Sequence, residues 1–206
     1  MNYVKNMLER YTDLSSCEKS IGEAVCAMVE CYERDGKILL VGNGGSASDC
    51  EHISGELLKG FMSKRPITDS EREALSSLGA VTSKLQRGIP AIPLTAFSAA
   101  LSAFANDVDP ELVYAQLVFA LAKEGDLVIG LSTSGNSKNV VEAIKVAGAL
   151  GIKTVVMTGE SGGILGELAD VAIKAPARET YKVQEYHLPI YHAICAETER
   201  ILFEEK

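Results

Sequence analysis

The sequence predicts an α/β fold: a three-layer α-β-α sandwich around a five-stranded, mainly parallel sheet. Two observations carry this. Short apolar runs alternate with segments of helical periodicity, which is the order of a parallel sheet covered on both faces. Runs such as Leu127-Val128-Ile129-Gly130-Leu131 are apolar without alternation, as strands buried on both sides must be.

The elements follow in order. Val4 to about Leu14 and Cys17 to about Arg34 carry helical spacing, with Ile21, Val25, Met28, Val29 and Tyr32 at three- and four-residue steps. Asp35-Gly36 ends the second helix. Lys37 to Val41 reads as a buried strand, entering Gly42-Asn43-Gly44-Gly45-Ser46 and a helix to about Lys59. A polar stretch at 62–88 lacks strand signals and carries a capping box, Thr68-Asp69-Ser70-Glu71. It is read as an insertion or lid inside one domain spanning 1–206, in which 1–35 supplies the N-terminal helices. Ala91 to Leu94 is a short second strand whose proline suits an edge or a strand start. Helices are expected near 99–105 and 110–123. Asp126 to Leu131, Lys153 to Met157 and Val171 to Ile173 are three further strands, with a helix from the turn after Leu131 to about Leu150. A long terminal helix spans about Val183 to Phe203.

Composition narrows the function. A chain of 206 residues suffices for one sizeable core. A net charge of −8 argues against a general nucleic-acid or anionic-membrane binder, yet leaves room for a local anion pocket. The five cysteines, Cys17, Cys26, Cys31, Cys50 and Cys195, are scattered and include no C-x-x-C pair, as reduced thiols would be. There is no signal-peptide core and no apolar run of membrane-spanning length, so a cytoplasmic location is expected.

Two turns carry the chemistry. Ligands in such sheets bind beyond the C-terminal ends of the strands, and both glycine- and serine-rich turns follow strands directly. Ser132, Thr133, Ser134 and Ser137 surround Gly135 where a helix begins. The first N–H groups of a helix lack internal partners and carry partial positive charge, so they suit a phosphate. Ordinary N-capping explains one hydroxyl there, not four. The segment lacks the terminal Gly-Lys-Ser/Thr of a nucleotide P-loop. Gly42-x-Gly44-x-x-Ala47 formally matches a relaxed dinucleotide fingerprint, but the acidic residue expected after the second strand is missing. No nucleotide cofactor is expected. Sugar-phosphate contact and a purely structural turn are the competing readings of this segment.

Only three histidines occur: His52, His187 and His192. His52 and Glu56 share a helix face at i, i+4. Gln184 and His192 lie eight positions apart, about 80° around an ideal helix. Between them Pro189 cannot donate its backbone hydrogen bond and allows a local kink. Two imidazoles, a carboxylate and an amide oxygen can hold a divalent ion such as zinc, or can serve as acid and base without metal.

Taken together, Gly42-Asn43-Gly44-Gly45-Ser46-Ala47, Asp49-x-x-His52-x-x-x-Glu56-Leu57, Asn106-Asp107, Gly130-x-Ser132-Thr133-Ser134-Gly135-Asn136-Ser137, Thr158-Gly159 with Gly162-Gly163, and Gln184-Glu185-x-His187-x-x-x-x-His192 resemble the sugar isomerase (SIS) domain family. Within it they resemble its phosphoheptose isomerase branch. The resemblance covers nearly the whole chain outside 62–88. It implies aldose–ketose isomerisation of a phosphorylated sugar, with sedoheptulose 7-phosphate becoming a glycero-manno-heptose 7-phosphate through an enediol. It implies that Glu56 and His192 are catalytic. Asn43, Gly44, Gly45, Asn106, Asp107 and Gln184 would meet the sugar, and Ser132, Thr133, Ser134 and Ser137 the phosphate. His52, Glu56, Gln184 and His192 would be zinc ligands. It also implies a homotetramer with active sites at subunit interfaces and N-terminal helices in its centre.

Three features depart from the family pattern: the length of the insertion, Leu58-Lys59-Gly60-Phe61 where an arginine commonly follows the acid, and Phe97 in place of a small polar or acidic residue. An isomerase of another phosphosugar is one alternative; the competing class is a non-catalytic SIS module, a sugar-phosphate sensor or a protein-binding scaffold. Its expected sign is loss of the acid–base pair, and both members are present.

Overall fold

The computed structural model describes residues 2–204. Five strands form one parallel sheet: β1 (Ile38–Gly42), β2 (Ala91–Pro93), β3 (Leu127–Leu131), β4 (Lys153–Gly159) and β5 (Val171–Ala175), in the order β2-β1-β3-β4-β5. The "mainly parallel" expectation is met by pairs that are all parallel. Strand residues alternate between two cores, as the two-residue period requires. Ile38 and Leu40 enter one cluster with Leu127, Ile129, Val155 and Ile173; Leu39 and Val41 enter the other with Val128 and Val156.

Nine α-helices are assigned among the described residues. On the first face lie α1 (Tyr3–Arg10), α2 (Glu18–Glu33), α3 (Gly45–Leu58) and α9 (Thr180–Phe203); α6 (Val113–Leu121) and α7 (Lys138–Ala149) cover the second. The others are α4 (Asp69–Ala74), α5 (Ser98–Asp107) and the short α8 (Leu165–Leu168). The first helix stops four residues short of its expected end, and a 3₁₀ segment, Thr12–Cys17, leads into α2. Helix α9 starts three residues earlier than the sequence indicates and runs unbroken through Pro189.

The capping box at Thr68 forms as expected: its hydroxyl accepts the Glu71 N–H, and the Glu71 carboxylate accepts the Thr68 N–H. What anchors the 62–88 segment is a fully buried ion pair. Glu199 on α9 accepts the backbone N–H groups of Phe61, Met62 and Ser63 and the Arg65 guanidinium, whose Nε stands 2.5 Å from it. Arg65 adopts a positive φ of 42°, unusual for a side chain with a Cβ. It also donates to the carbonyls of Leu57 and Glu56, closing the C-terminal end of α3. The segment thus lies against the C-terminal ends of α3 and α9. Phe203 is flanked by Arg65 and Arg87 guanidinium groups at 5.1 and 5.2 Å from its ring centre.

Removing one member of a buried pair leaves the other charge without compensation. Glu199→Ala is expected to lower unfolding free energy by about 3–5 kcal/mol in urea titrations. The Arg65→Met/Glu199→Met double variant should recover part of that loss.

Candidate active site at the switch point and the α3–α9 seam

In a 2-1-3-4-5 strand order the connections leave β1 and β3 toward opposite faces, opening a crevice at their C-terminal ends. Both glycine- and serine-rich turns border that crevice. The first adopts a conformation suited to glycine, with Gly44 at φ 56°, ψ −121°. The second bends at Gly135, φ 68°, whose N–H returns to the Ser132 carbonyl at 2.9 Å. A Cβ at Gly135 would strike the Gly162 carbonyl, because the turn after β4 packs directly against it. Asn136 joins the two turns by accepting the Ile164 N–H at 3.0 Å.

Ser137 occupies the N-cap of α7 but makes no side-chain cap. Its hydroxyl instead meets the buried Ser132 hydroxyl at 2.9 Å. Thr133 and Ser137 are half-buried and Ser134 is exposed. The entrance of α7 thus carries one inward pair of hydroxyls, Ser132 and Ser137, beside the first backbone N–H groups of a helix, which suit an anion. Asn43 and Asn139 exchange reciprocal amide hydrogen bonds at 2.8 and 2.9 Å, tying the first turn to the first turn of α7. Asn139 was not singled out by the sequence; its neighbour lies 96 positions away.

The second half of the site is the seam between α3 and α9, which run side by side in the same direction. Gly45 faces Gln184, where a Cβ would stand 2.5 Å from the amide nitrogen. One turn further, Asp49 meets Tyr191. Beyond that, His52 meets His192, their Nε2 atoms 3.3 Å apart and their rings edge to face at 4.9 Å. His52 Nε2 is also 3.4 Å from Glu56 Oε1. Phe61 tilts against His192 at 5.6 Å. Lys59, standing in the stretch where the family pattern favours arginine, donates to Glu56 Oε2 at 2.7 Å.

Partial burial pushes the Glu56 carboxyl upward, but the Lys59 hydrogen bond and charge, with His52 and His192, outweigh it and hold the group below its ordinary value. Burial, then the neighbouring His52, lowers His192 against the opposing pull of Glu56. Near pH 7 the pair is accordingly a carboxylate beside a mostly neutral imidazole.

Of the four residues considered for a metal, the structure gathers His52, Glu56 and His192, and leaves Gln184 two turns up α9, about 12 Å along the helix axis from His192. Among the described residues, no group of three or more His, Cys, Asp or Glu side chains is closed into a metal cage. The donor chemistry nevertheless fits a divalent ion: two imidazole Nε2 atoms face each other beside a carboxylate oxygen. Asn106 and Asp107 sit exposed at the end of α5, bonded to each other at 2.8 Å, and no hydrogen bond ties them to either turn among the described residues. A cavity of about 500 Å³ opens behind His192 among Tyr3, Met7, Tyr11, Phe61 and Leu188; none of the turn residues lines it.

His187 stays outside the site. It is fully buried, its Nε2 lies 3.3 Å from the Thr158 carbonyl, and its Nδ1 has no hydrogen-bond partner.

The fold and its two half-sites define an α/β protein with a hydroxyl-lined helix entrance at its crevice and a carboxylate beside two imidazoles along the α3–α9 seam. Comparison with known proteins specifies it further. A family model described as SIS domain matches residues 2–159. A phosphoheptose isomerase of Aneurinibacillus thermoaerophilus is 37% identical over 186 residues, 90% of this chain and 83% of the relative. One from Roseiflexus is 40% identical over 178 residues, 86% of this chain and 80% of the relative. Among solved structures, the phosphoheptose isomerase of Neisseria gonorrhoeae superposes with a TM-score of 0.75 at 30% identity, covering 95% of this chain and 94% of that one. That of Francisella tularensis gives 0.78 at 28% identity, covering 96% and 95%. The chain belongs to the SIS domain family and, within it, is a phosphosugar isomerase of the phosphoheptose isomerase type. Among the described residues no helix is long and apolar enough to cross a membrane.

Two predictions follow from this geometry. Burial lowers His187 from 6.5 to about 4. Between those values the unfolded chain binds a proton that the folded chain refuses, so the stability His187 contributes is complete above about pH 6.5 and falls as pH drops toward 4. The loss is about 3 kcal/mol, and it should be absent from the pH dependence of urea unfolding in His187→Leu. Separately, Ser132→Ala should raise KM for a phosphosugar about 10- to 100-fold, as loss of a hydrogen bond to a charged oxygen would. Inorganic phosphate should weaken in parallel as an inhibitor.

Proposed function

We propose that this enzyme converts sedoheptulose 7-phosphate into a glycero-manno-heptose 7-phosphate. One observation carries the reading: α3 begins at the glycine turn beside the hydroxyl-lined entrance of α7, and about three turns later bears a carboxylate beside His52, whose ring meets His192 of α9. A phosphate gripped by Ser132, Thr133, Ser134, Ser137 and the α7 amides anchors one end of an extended sugar. Its carbonyl end then lies along α3. Anchoring a remote, non-reacting group positions the reacting carbons and so contributes to the rate.

In this mechanism Glu56, already ionised, removes the proton from C1 of the ketose and returns one to C2 through the enediol. His192, neutral, moves the proton between the C1 and C2 oxygens. Asn43, Gly44, Gly45, Asn106, Asp107 and Gln184 contact the sugar hydroxyls. Asn106 and Asp107 come from a face of α5 that buries none of its own residues, and Phe97, Val108 and Phe119 nearby along the chain remain exposed. That surface suits the homotetramer with shared sites that the family resemblance implies, in the cytoplasm. Zinc held by His52, Glu56 and His192, without the Gln184 that the family resemblance adds, would polarise the sugar carbonyl and stabilise the developing oxyanion.

Glu56→Gln and His192→Gln should each lower kcat on sedoheptulose 7-phosphate by about 10²- to 10⁴-fold while retaining inhibition by inorganic phosphate. Full activity in both variants would remove the proposed proton carriers. Turnover of other ketose phosphates but not this one would keep the chemistry and change the substrate. A chelator that leaves activity intact would remove zinc from the account.

A further inference from the structure

Tyr191 is only 2% exposed, yet its phenol points at two polar partners: Asp49 Oδ1 at 3.3 Å and His52 Nδ1 at 3.0 Å. A phenol has one proton and lone pairs to accept another. A carboxylate only accepts. If the phenol proton went to His52 Nδ1, the Asp49 contact would set two lone pairs against each other in a half-buried place. If it goes to Asp49, the phenol oxygen is free to accept the Nδ1–H of His52, and both contacts are hydrogen bonds. Charge assistance favours the second arrangement. His52 Nε2 is then a bare lone pair, which can accept from His192 Nε2 at 3.3 Å or bind a cation.

We propose that Tyr191 is a positioning residue: held by Asp49, it fixes His52 in the Nδ1–H tautomer and directs the Nε2 lone pair toward His192 and Glu56. The edge-to-face packing of the His52 and Tyr191 rings, centroids 5.4 Å apart, holds the same orientation by shape. A hydrogen bond from the distal nitrogen of a ligating histidine to a chain ending in a carboxylate sets both its tautomer and its basicity, and removing such a partner weakens metal binding about 10- to 100-fold. The part of the inference that concerns metal rests on His52 serving as a zinc ligand; the tautomer does not.

The experiment uses the full chain carrying ¹⁵N-histidine. At a pH where the imidazoles are neutral, the two ring nitrogens of His52 are read before and after addition of zinc, in the parent, in Tyr191→Phe and in Asp49→Ala. The parent should show the Nδ1–H pattern. Tyr191→Phe should shift His52 toward a mixture, and Asp49→Ala toward Nε2–H, because the phenol proton then turns to Nδ1. Calorimetric zinc affinity should fall about 10- to 100-fold in both variants. Thermal melts within a few degrees of the parent would exclude loss of fold. An Nε2–H pattern in the parent, or an unchanged His52 signature in folded Tyr191→Phe, overturns the proposal. The expected tautomer shift in a protein that binds no zinc supports the relay and removes only the metal from the proposed function.

Discussion

The parallel packing of α3 against α9 on one face of the sheet is the contact on which the site depends. Helix α3 is fixed at its start by the turn after β1, so every residue along it has a defined distance from the crevice. Helix α9 brings Gln184, Tyr191 and His192 to α3, and its register decides what each one meets. Gln184 opposite Gly45, Tyr191 opposite Asp49 and His192 opposite His52 are three contacts of one seam. The absence of a side chain at Gly45 is what lets the seam close at its upper end. A helix that slid by one turn would move His192 about 5 Å from His52 and dissolve the pair.

What fixes that register is found at the other end of the seam. Glu199, seven residues after His192, collects three backbone donors and the Arg65 guanidinium in a place without water access. Arg65 in turn closes the final carbonyls of α3, including that of Glu56 itself. The ion pair therefore bolts the two helices together through the start of the 62–88 segment. A buried pair of this kind is a poor source of net stability, but it tolerates only one arrangement of its partners. That intolerance is useful where a carboxylate and an imidazole must keep their spacing.

Much of the site was legible in the sequence because its determinants are local. Four hydroxyls around Gly135 after an apolar run mark a candidate anion turn without any tertiary knowledge, and His52 with Glu56 at i, i+4 marks a helix face. The strand runs were legible for the same reason, since burial on both faces leaves an unbroken apolar signature. Contacts between distant positions were not. Tyr191 and Asp49 are separated by 142 positions and Asn43 and Asn139 by 96, and nothing in periodicity couples such pairs. Arg65 was illegible for a different reason: an arginine in a polar stretch reads as solvated, and only the Glu199 carboxylate on a remote helix reverses that. At Pro189, whose missing N–H suggests a local kink, α9 is assigned as one continuous helix from Thr180 to Phe203.

In the proposed reading the two halves of the site use different physics, which reconciles an anionic ligand with a chain of net charge −8. A phosphate at the α7 entrance would be held by backbone amides and hydroxyls, so no cluster of lysines is required and the long-range field of the molecule is largely irrelevant at hydrogen-bond distance. At the reacting end, the charges are few and matched: Lys59 against Glu56, two imidazoles whose protons are governed by their neighbours. In the proposed mechanism this division lets the anion be held by dipoles that never titrate, while proton transfer is left to Glu56 and His192.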